Sequence, residues 1–175
     1  FLQHTKGRRI IVGSSMGGWL ALLLAQRLRE EDPAGFKRIM GLVLLAPAAD
    51  MTQDLMWDHF GDAARGELRE TGVHMRPSSY GDPYPITVRL LADGEKHLLL
   101  RNGLTLPFPI RILQGSDDVD VPPPHAIKTF EALSSPDLTL TFIKGGDHRL
   151  STPAHLRLMQ ETVLDLAKRA DGETL

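Results

Sequence analysis

The chain has 175 residues, room for one ordinary domain with an insertion. Hydrophobic residues make up 42% and charged residues 24%, which supplies a packed core and excludes a disordered or low-complexity chain. The 20 basic and 22 acidic residues leave a formal charge of −2, so no basic excess points to nucleic acid or a membrane surface, and with no cysteine a disulfide scaffold, Cys-ligated zinc and a thiol nucleophile are excluded.

The sequence opens at Phe1 with no charged and apolar leader, and it runs almost at once into a strand. Arg8 to Ser14 is a short β-branched run ending in a turn. From Arg9 it reads as buried on both faces, although it is the first strand present. A preceding segment of the same protein is therefore expected, because such a strand at a sheet edge would be left open. Gly18 to Arg29 is rich in Leu and Ala and reads as a helix closed by Pro33 and Gly35. Its longest apolar run, Trp19 to Ala25, is far too short to span a bilayer, so no integral membrane segment is expected.

Gly41 to Pro47 is a continuous apolar run of the kind buried on both faces of a parallel sheet. An insertion follows, residues 50–107, with no buried-type strand. In it Met51 to Arg69 looks amphipathic and helical. Met75 to Pro85 is turn-rich, and Ile86 to Leu100 favours a helix with Gly94 as its weak point. Ile110 to Gly115 and Leu138 to Lys144 are two more strands. Between them Pro123 or Pro124 opens a helix containing Ile127, Phe130 and Leu133. Thr152 and Pro153 form an N-cap and first-turn pair for a last helix carrying Leu156, Met159, Val163 and Ala167. The alternation predicts an α/β fold, a mostly parallel sheet with flanking helices.

Gly13-Ser14-Ser15-Met16-Gly17 fits G-x-S-x-G at a strand-to-helix junction, and only Ser15 can be its serine. Glycines two residues before and after, Gly13 and Gly17, leave room for a strained turn that exposes the hydroxyl. The Met16 backbone N–H then faces a developing oxyanion. The bland alternatives are a Gly/Ser turn without chemistry and a phosphate-cradling turn. The second fails, because Ser15 occupies the middle glycine position of G-x-G-x-x-G and no G-K-[ST] follows. A serine needs a base and an orienting acid. Asp117, Asp118 and Asp120 follow the third strand, and His148 follows the fourth. Both loops lie at the C-terminal ends of parallel strands, the functional edge of such a sheet.

The stretches IIVGSSMGGWLALLLA, LLAPAAD, PIRILQGSDDVDVP and GGDHR, with HLLL from His97, resemble the α/β-hydrolase superfamily, C-terminal half. Within it the chain is similar to the palmitoyl-protein thioesterase branch that includes mycophenolic acid acyl-glucuronide esterase. The superfamily loop H-G-x-x-D-x-x-V-P is matched at Gly115, Asp118, Val121 and Pro122, with Gln114 in place of histidine. The resemblance implies a serine hydrolase acting on a small carboxylic ester or acyl thioester through an acyl-serine. Ser15 is then nucleophile, His148 base and acid, and Asp118 the triad acid, with Asp117 and Asp120 as fallbacks. It implies no cofactor and no metal, a lid-like role for residues 50–107, roughly four strands before this chain, and a second oxyanion donor outside it. A cytoplasmic location is the default, and a mitochondrial one applies if the source is eukaryotic. The alternatives are a catalytically silent binding module of the same fold and a serine peptidase. His4, His59, His74, His97, His125 and His155 read as surface or core histidines. Met51, Leu55, Met56, Trp57 and Phe60 read as packing before they read as an acyl pocket.

Overall fold

The computed structural model describes residues 7–78 and 81–170. His4 and the tip of the Met75–Pro85 stretch lie outside them. The described residues fall into two compact units, one within 7–49 and 99–170, the other within 50–98.

The first unit is built on a parallel four-stranded sheet in the order β1, β2, β6, β8. Its strands are β1 (Arg9–Ser14), β2 (Ile39–Leu45), β6 (Ile110–Gly115) and β8 (Leu138–Ile143). β2 and β6 lie inside it. Every residue of β6 is buried, and in β2 all but Met40; β2 matches its unbroken apolar sequence, whereas β6 buries Arg111 and Gln114 as well. β1 differs from expectation. Among the described residues it pairs with β2 alone, and Val12 is 46% exposed. The sequence of β1 is that of an interior strand, while its present surroundings are those of an edge.

Helix α1 (Met16–Glu31) buries Gly18, Ala21, Leu22, Ala25 and Leu28, a stripe at helical spacing. It begins two residues before the expected start. Asp32 then accepts a hydrogen bond from the Gly35 N–H at 2.9 Å and caps the one-turn α2 (Pro33–Phe36). Helix α5 (Pro123–Ala132) begins at the expected proline, but it turns His125, Ala126 and Thr129 inward, while Ile127 stays 41% exposed. Leu133 leaves the helix for β7 (Leu133–Ser134), which pairs in parallel with β5 (Leu104–Thr105). That pairing puts 99–107 in the first unit, so the second unit is shorter than the expected insertion. Helix α6 (Pro153–Ala170) starts where Thr152 Oγ1 accepts from the His155 N–H at 3.3 Å. Its Leu166 packs into a cluster with Val43, Leu45, Leu113 and Leu150.

The second unit is less regular than its sequence suggested. Met51 to Arg69 is broken into a π-turn at Thr52–Met56, a 3₁₀ turn at Trp57–His59 and α3 (Asp62–Thr71). The turn-rich stretch is an antiparallel hairpin, β3 (Val73–Ser78) with β4 (Gly81–Thr87). Both strands of a two-stranded ribbon are edges, so Pro77, Pro83 and Pro85 cost no interior ladder bond. Helix α4 (Val88–Glu95) is capped by Thr87 Oγ1, which accepts from the Leu90 N–H at 3.0 Å. The helix ends one residue after Gly94, short of the expected Leu100, and Gly94 is also a packing position, because a Cβ there would run into the Thr52 side chain. No helix among the described residues is long and apolar enough to cross a membrane.

Candidate active site

The serine turn is set by backbone geometry. Ser15 has φ 53° and ψ −121°, a region strained for any residue with a side chain. It is held there from both sides. Its N–H donates to the Leu45 carbonyl at 2.8 Å, and its carbonyl accepts from Gly18 at 2.9 Å and from Ala48 at 3.0 Å. Although Ser15 is the N-cap of α1, its hydroxyl makes no capping bond. It is directed instead at His148.

A Cβ on Gly13 would collide with the Gly17 carbonyl. Gly17 corrects the reading of the motif. A Cβ on it meets nothing within 4 Å, whereas one on Gly18 would come within 2.8 Å of the Pro47 side chain. The close approach of helix to strand is made at Gly13 and Gly18. Met16 is the first residue of α1, so its backbone N–H is among those that have no carbonyl partner inside the helix.

The loops after β6 and β8 meet over two glycines. A Cβ on Gly115 would strike the Gly146 carbonyl, and one on Gly146 would lie 3.1 Å from the Gly115 Cα. Asp117 N–H donates to the Gly146 carbonyl at 2.9 Å, and Gly145 N–H donates to Ser116 Oγ at 2.8 Å. This seam brings the acid and the imidazole together. His148 Nδ1 lies 2.9 Å from Asp118 Oδ2, and His148 Nε2 lies 3.0 Å from Ser15 Oγ. A carboxylate only accepts, so Nδ1 carries the proton. Nε2 then holds a lone pair for the Ser15 hydroxyl. Asp117 instead accepts from Ser116 Oγ at 2.7 Å.

Asp118 is 3% exposed, and burial alone would push its carboxyl up. Hydrogen bonds from His148, the Val121 N–H and Gln114, with the charge of His148, outweigh burial and hold it below the usual carboxylate range. His148 moves the opposite way. Its hydrogen bond to Asp118 raises it against the effect of burial, and the charges of Asp118, Asp120 and Asp147 add to the rise.

Gln114 was passed over in the sequence, where it stood only as a departure from a motif. It is fully buried, and its Nε2 lies 3.1 Å from Asp118 Oδ2, 2.9 Å from the Val121 carbonyl and 3.2 Å from the Gly115 carbonyl. All three neighbours are acceptors, which fixes the amide orientation. A lone glutamine at the end of an apolar strand has no periodic signature that would have marked it. His125, placed in a helix and given no role by the sequence, is buried with Nε2 2.8 Å from the Ala49 carbonyl.

Asp118, Asp120 and His148 offer atoms within 4.8 Å of one another, a spacing a cation could use. Asp118 however already takes four donors, His148 and Gln114 on Oδ2 and the Asp120 and Val121 N–H groups on Oδ1. These fill the roughly four lone-pair positions of a carboxylate. The cluster is built to hold an imidazole.

The alpha/beta hydrolase family profile matches residues 1–163. Among curated proteins the chain is similar to palmitoyl-protein thioesterase ABHD10, mitochondrial. It is 31% identical to the Mus musculus protein over 165 residues, 92% of this chain and 52% of that one. It is 31% identical to the Homo sapiens protein over 162 residues, 91% of this chain and 50% of that one. The chain thus spans about half the length of the curated relatives it matches. Among solved structures it is similar to a putative hydrolase from Agrobacterium vitis S4, with 40% identity and a TM-score of 0.86 over 90% of this chain and 60% of that one. It is also similar to mouse alpha/beta hydrolase domain-containing protein 10, with 28% identity and a TM-score of 0.80 over 95% and 64% of the two chains.

Proposed function

This chain belongs to the alpha/beta hydrolase family, and from that premise we propose that it carries the catalytic triad of a serine hydrolase that cleaves carboxylic esters or acyl thioesters. The observation that carries the reading is the unbroken relay from Ser15 Oγ through His148 to Asp118, with steps of 3.0 and 2.9 Å. His148 Nε2 takes the hydroxyl proton as Ser15 Oγ attacks the carbonyl carbon. The oxyanion that forms is met by the Met16 N–H, aided by the positive end of α1. His148 returns its proton to the leaving alcohol or thiol, which departs as the acyl-serine forms. Water, deprotonated by the same Nε2, then releases the acid. Asp118 holds the tautomer and stabilises the imidazolium.

Within this class we favour an acyl thioester of a protein as substrate, following the name that the curated relatives carry. A fluorophosphonate probe is expected to label the active protein at Ser15, and Ser15→Ala is expected to abolish both labelling and turnover while leaving the fold intact. Turnover of p-nitrophenyl esters and acyl thioesters, without turnover of peptide amides, separates the reading from a peptidase. An unlabelled, folded wild type would replace it with a silent binding module.

A further inference from the structure

Past the ends of β2 and β6 the serine turn and the acid loop are no longer joined by the sheet. The ladder closes at Leu45 opposite Leu113, with one further bond from the Ala46 N–H to the Leu113 carbonyl at 2.9 Å. The chain then runs through 46–49, buried throughout. Ala46 is held at φ 43°, a conformation that disfavours any side chain. The Ala48 N–H donates to the Ser15 carbonyl at 3.0 Å, so this loop is one of the supports of the strained serine.

The loop is also tied to helix α5. The Ala49 carbonyl lies 2.8 Å from His125 Nε2. A carbonyl only accepts, so Nε2 carries a proton and donates. His125 is buried, and its backbone is fixed. Its N–H donates to the Pro122 carbonyl at 2.8 Å, and its carbonyl accepts from Thr129 Oγ1 at 3.0 Å. Helix α5 is the direct continuation of the acid loop. Val121, two residues before its start, donates its N–H to Asp118 Oδ1 at 2.9 Å and accepts at its carbonyl from Gln114 Nε2 at 2.9 Å. An apolar side chain would fill the place of His125 without burying polar atoms, so what the imidazole adds is the bond.

We propose that His125 is a positioning residue for the nucleophile, a clasp from the acid-bearing segment to the loop that supports Ser15, which sets the reach from Ser15 Oγ to His148 Nε2. The role rests on the serine-hydrolase reading above. His125 touches none of the reacting atoms and acts through Ala49, Ala48 and the Ser15 backbone.

Three substitutions in the whole protein test this. His125→Met and His125→Phe fill the space and cannot donate, whereas His125→Gln carries an amide nitrogen at about the reach of Nε2. In the Met and Phe variants kcat and the rate of fluorophosphonate labelling are expected to fall together by roughly tenfold or more with KM unchanged, because a small misplacement of reacting groups is costly. His125→Gln is expected to recover most of the loss. A second readout needs no turnover. At alkaline pH the nitrogen resonance of His148 Nε2 in the Met variant is expected to move toward its position in Ser15→Ala, where no hydroxyl reaches it. A folded Met variant that turns over and labels as the wild type does, a Gln variant no better than Met, or an unmoved His148 resonance would each overturn the proposal. Unfolding of both Met and Phe variants would overturn it too, leaving His125 a residue of stability alone. A wild type that neither labels nor turns over would count against the serine-hydrolase reading instead, and the His148 resonance would still decide this one.

Discussion

At the scale of single residues the decisive balance is between Asp118 and His148. Catalysis needs a neutral imidazole, and Asp118 raises the affinity of His148 for its proton. Activity should therefore fall as pH drops through a value above the ordinary 6.5 of histidine. Asp118→Asn removes the largest cause of the rise. The acidic limb of kcat/KM should then move to lower pH while kcat falls by about 10⁴, since the tautomer is no longer held. An acidic limb that stays in place would show that other charges set it. Gln114 acts through Asp118 and is a positioning residue. Gln114→Met removes a donor to a charged acceptor, so kcat should fall roughly tenfold or more with KM unchanged. Gln114→His can still donate and should recover part of the loss. Equal stability loss in both variants, with identical pH profiles, would reduce Gln114 to a structural role.

At the scale of elements, the strand–turn–helix around Ser15 separates two glycines that the motif treats alike. Gly13→Ala should lower the melting temperature and remove activity, because its Cβ would strike helix backbone, the Gly17 carbonyl and the Gly18 Cα. Gly17→Ala meets open space near the start of α1. It should be neutral or stabilising by up to about 1 kcal/mol. Denaturation of both variants measures the contrast. The motif was legible because its spacing is local, β2 because an unbroken apolar run marks a strand buried in a parallel sheet, and β6 because Ile110, Ile112 and Leu113 read as a strand despite Arg111 and Gln114. Asp118 needed a family pattern, since three neighbouring carboxylates look alike in sequence and only their directions differ. The β3–β4 hairpin escaped notice because Pro77, Pro83 and Pro85 signal turns unless a ribbon has no interior strand. In the helical stretch Met51 to Arg69, Phe60 and Gly61 separate α3 from the turns before it with extended backbone.

At the scale of the whole molecule, the sheet has a central pair of buried strands and, in β1, an interior-type sequence bonded on one side. The 175-residue chain on its own should self-associate through β1, since an apolar strand edge invites further pairing. Light scattering after size exclusion should report species larger than a monomer. Val12→Lys, which places a charge on the strand facing solvent, should return it toward the monomer. A wild type that stays monomeric at high concentration would show that the edge is protected.

The bare contact between Gly115 and Gly146 also decides how this relay can be inherited. Neither loop can gain a side chain at the seam, and Ser116, Asp117 and Gly145 stitch the two backbones together just beside it. Drift in one loop must be answered in the other, so the acid and the base descend as one heritable block. The serine turn is anchored elsewhere, on the carbonyl of Leu45. Grafting this chemistry onto a foreign scaffold is thus a problem of two pieces rather than three, and the piece that tolerates no lengthening is the one that contains no nucleophile.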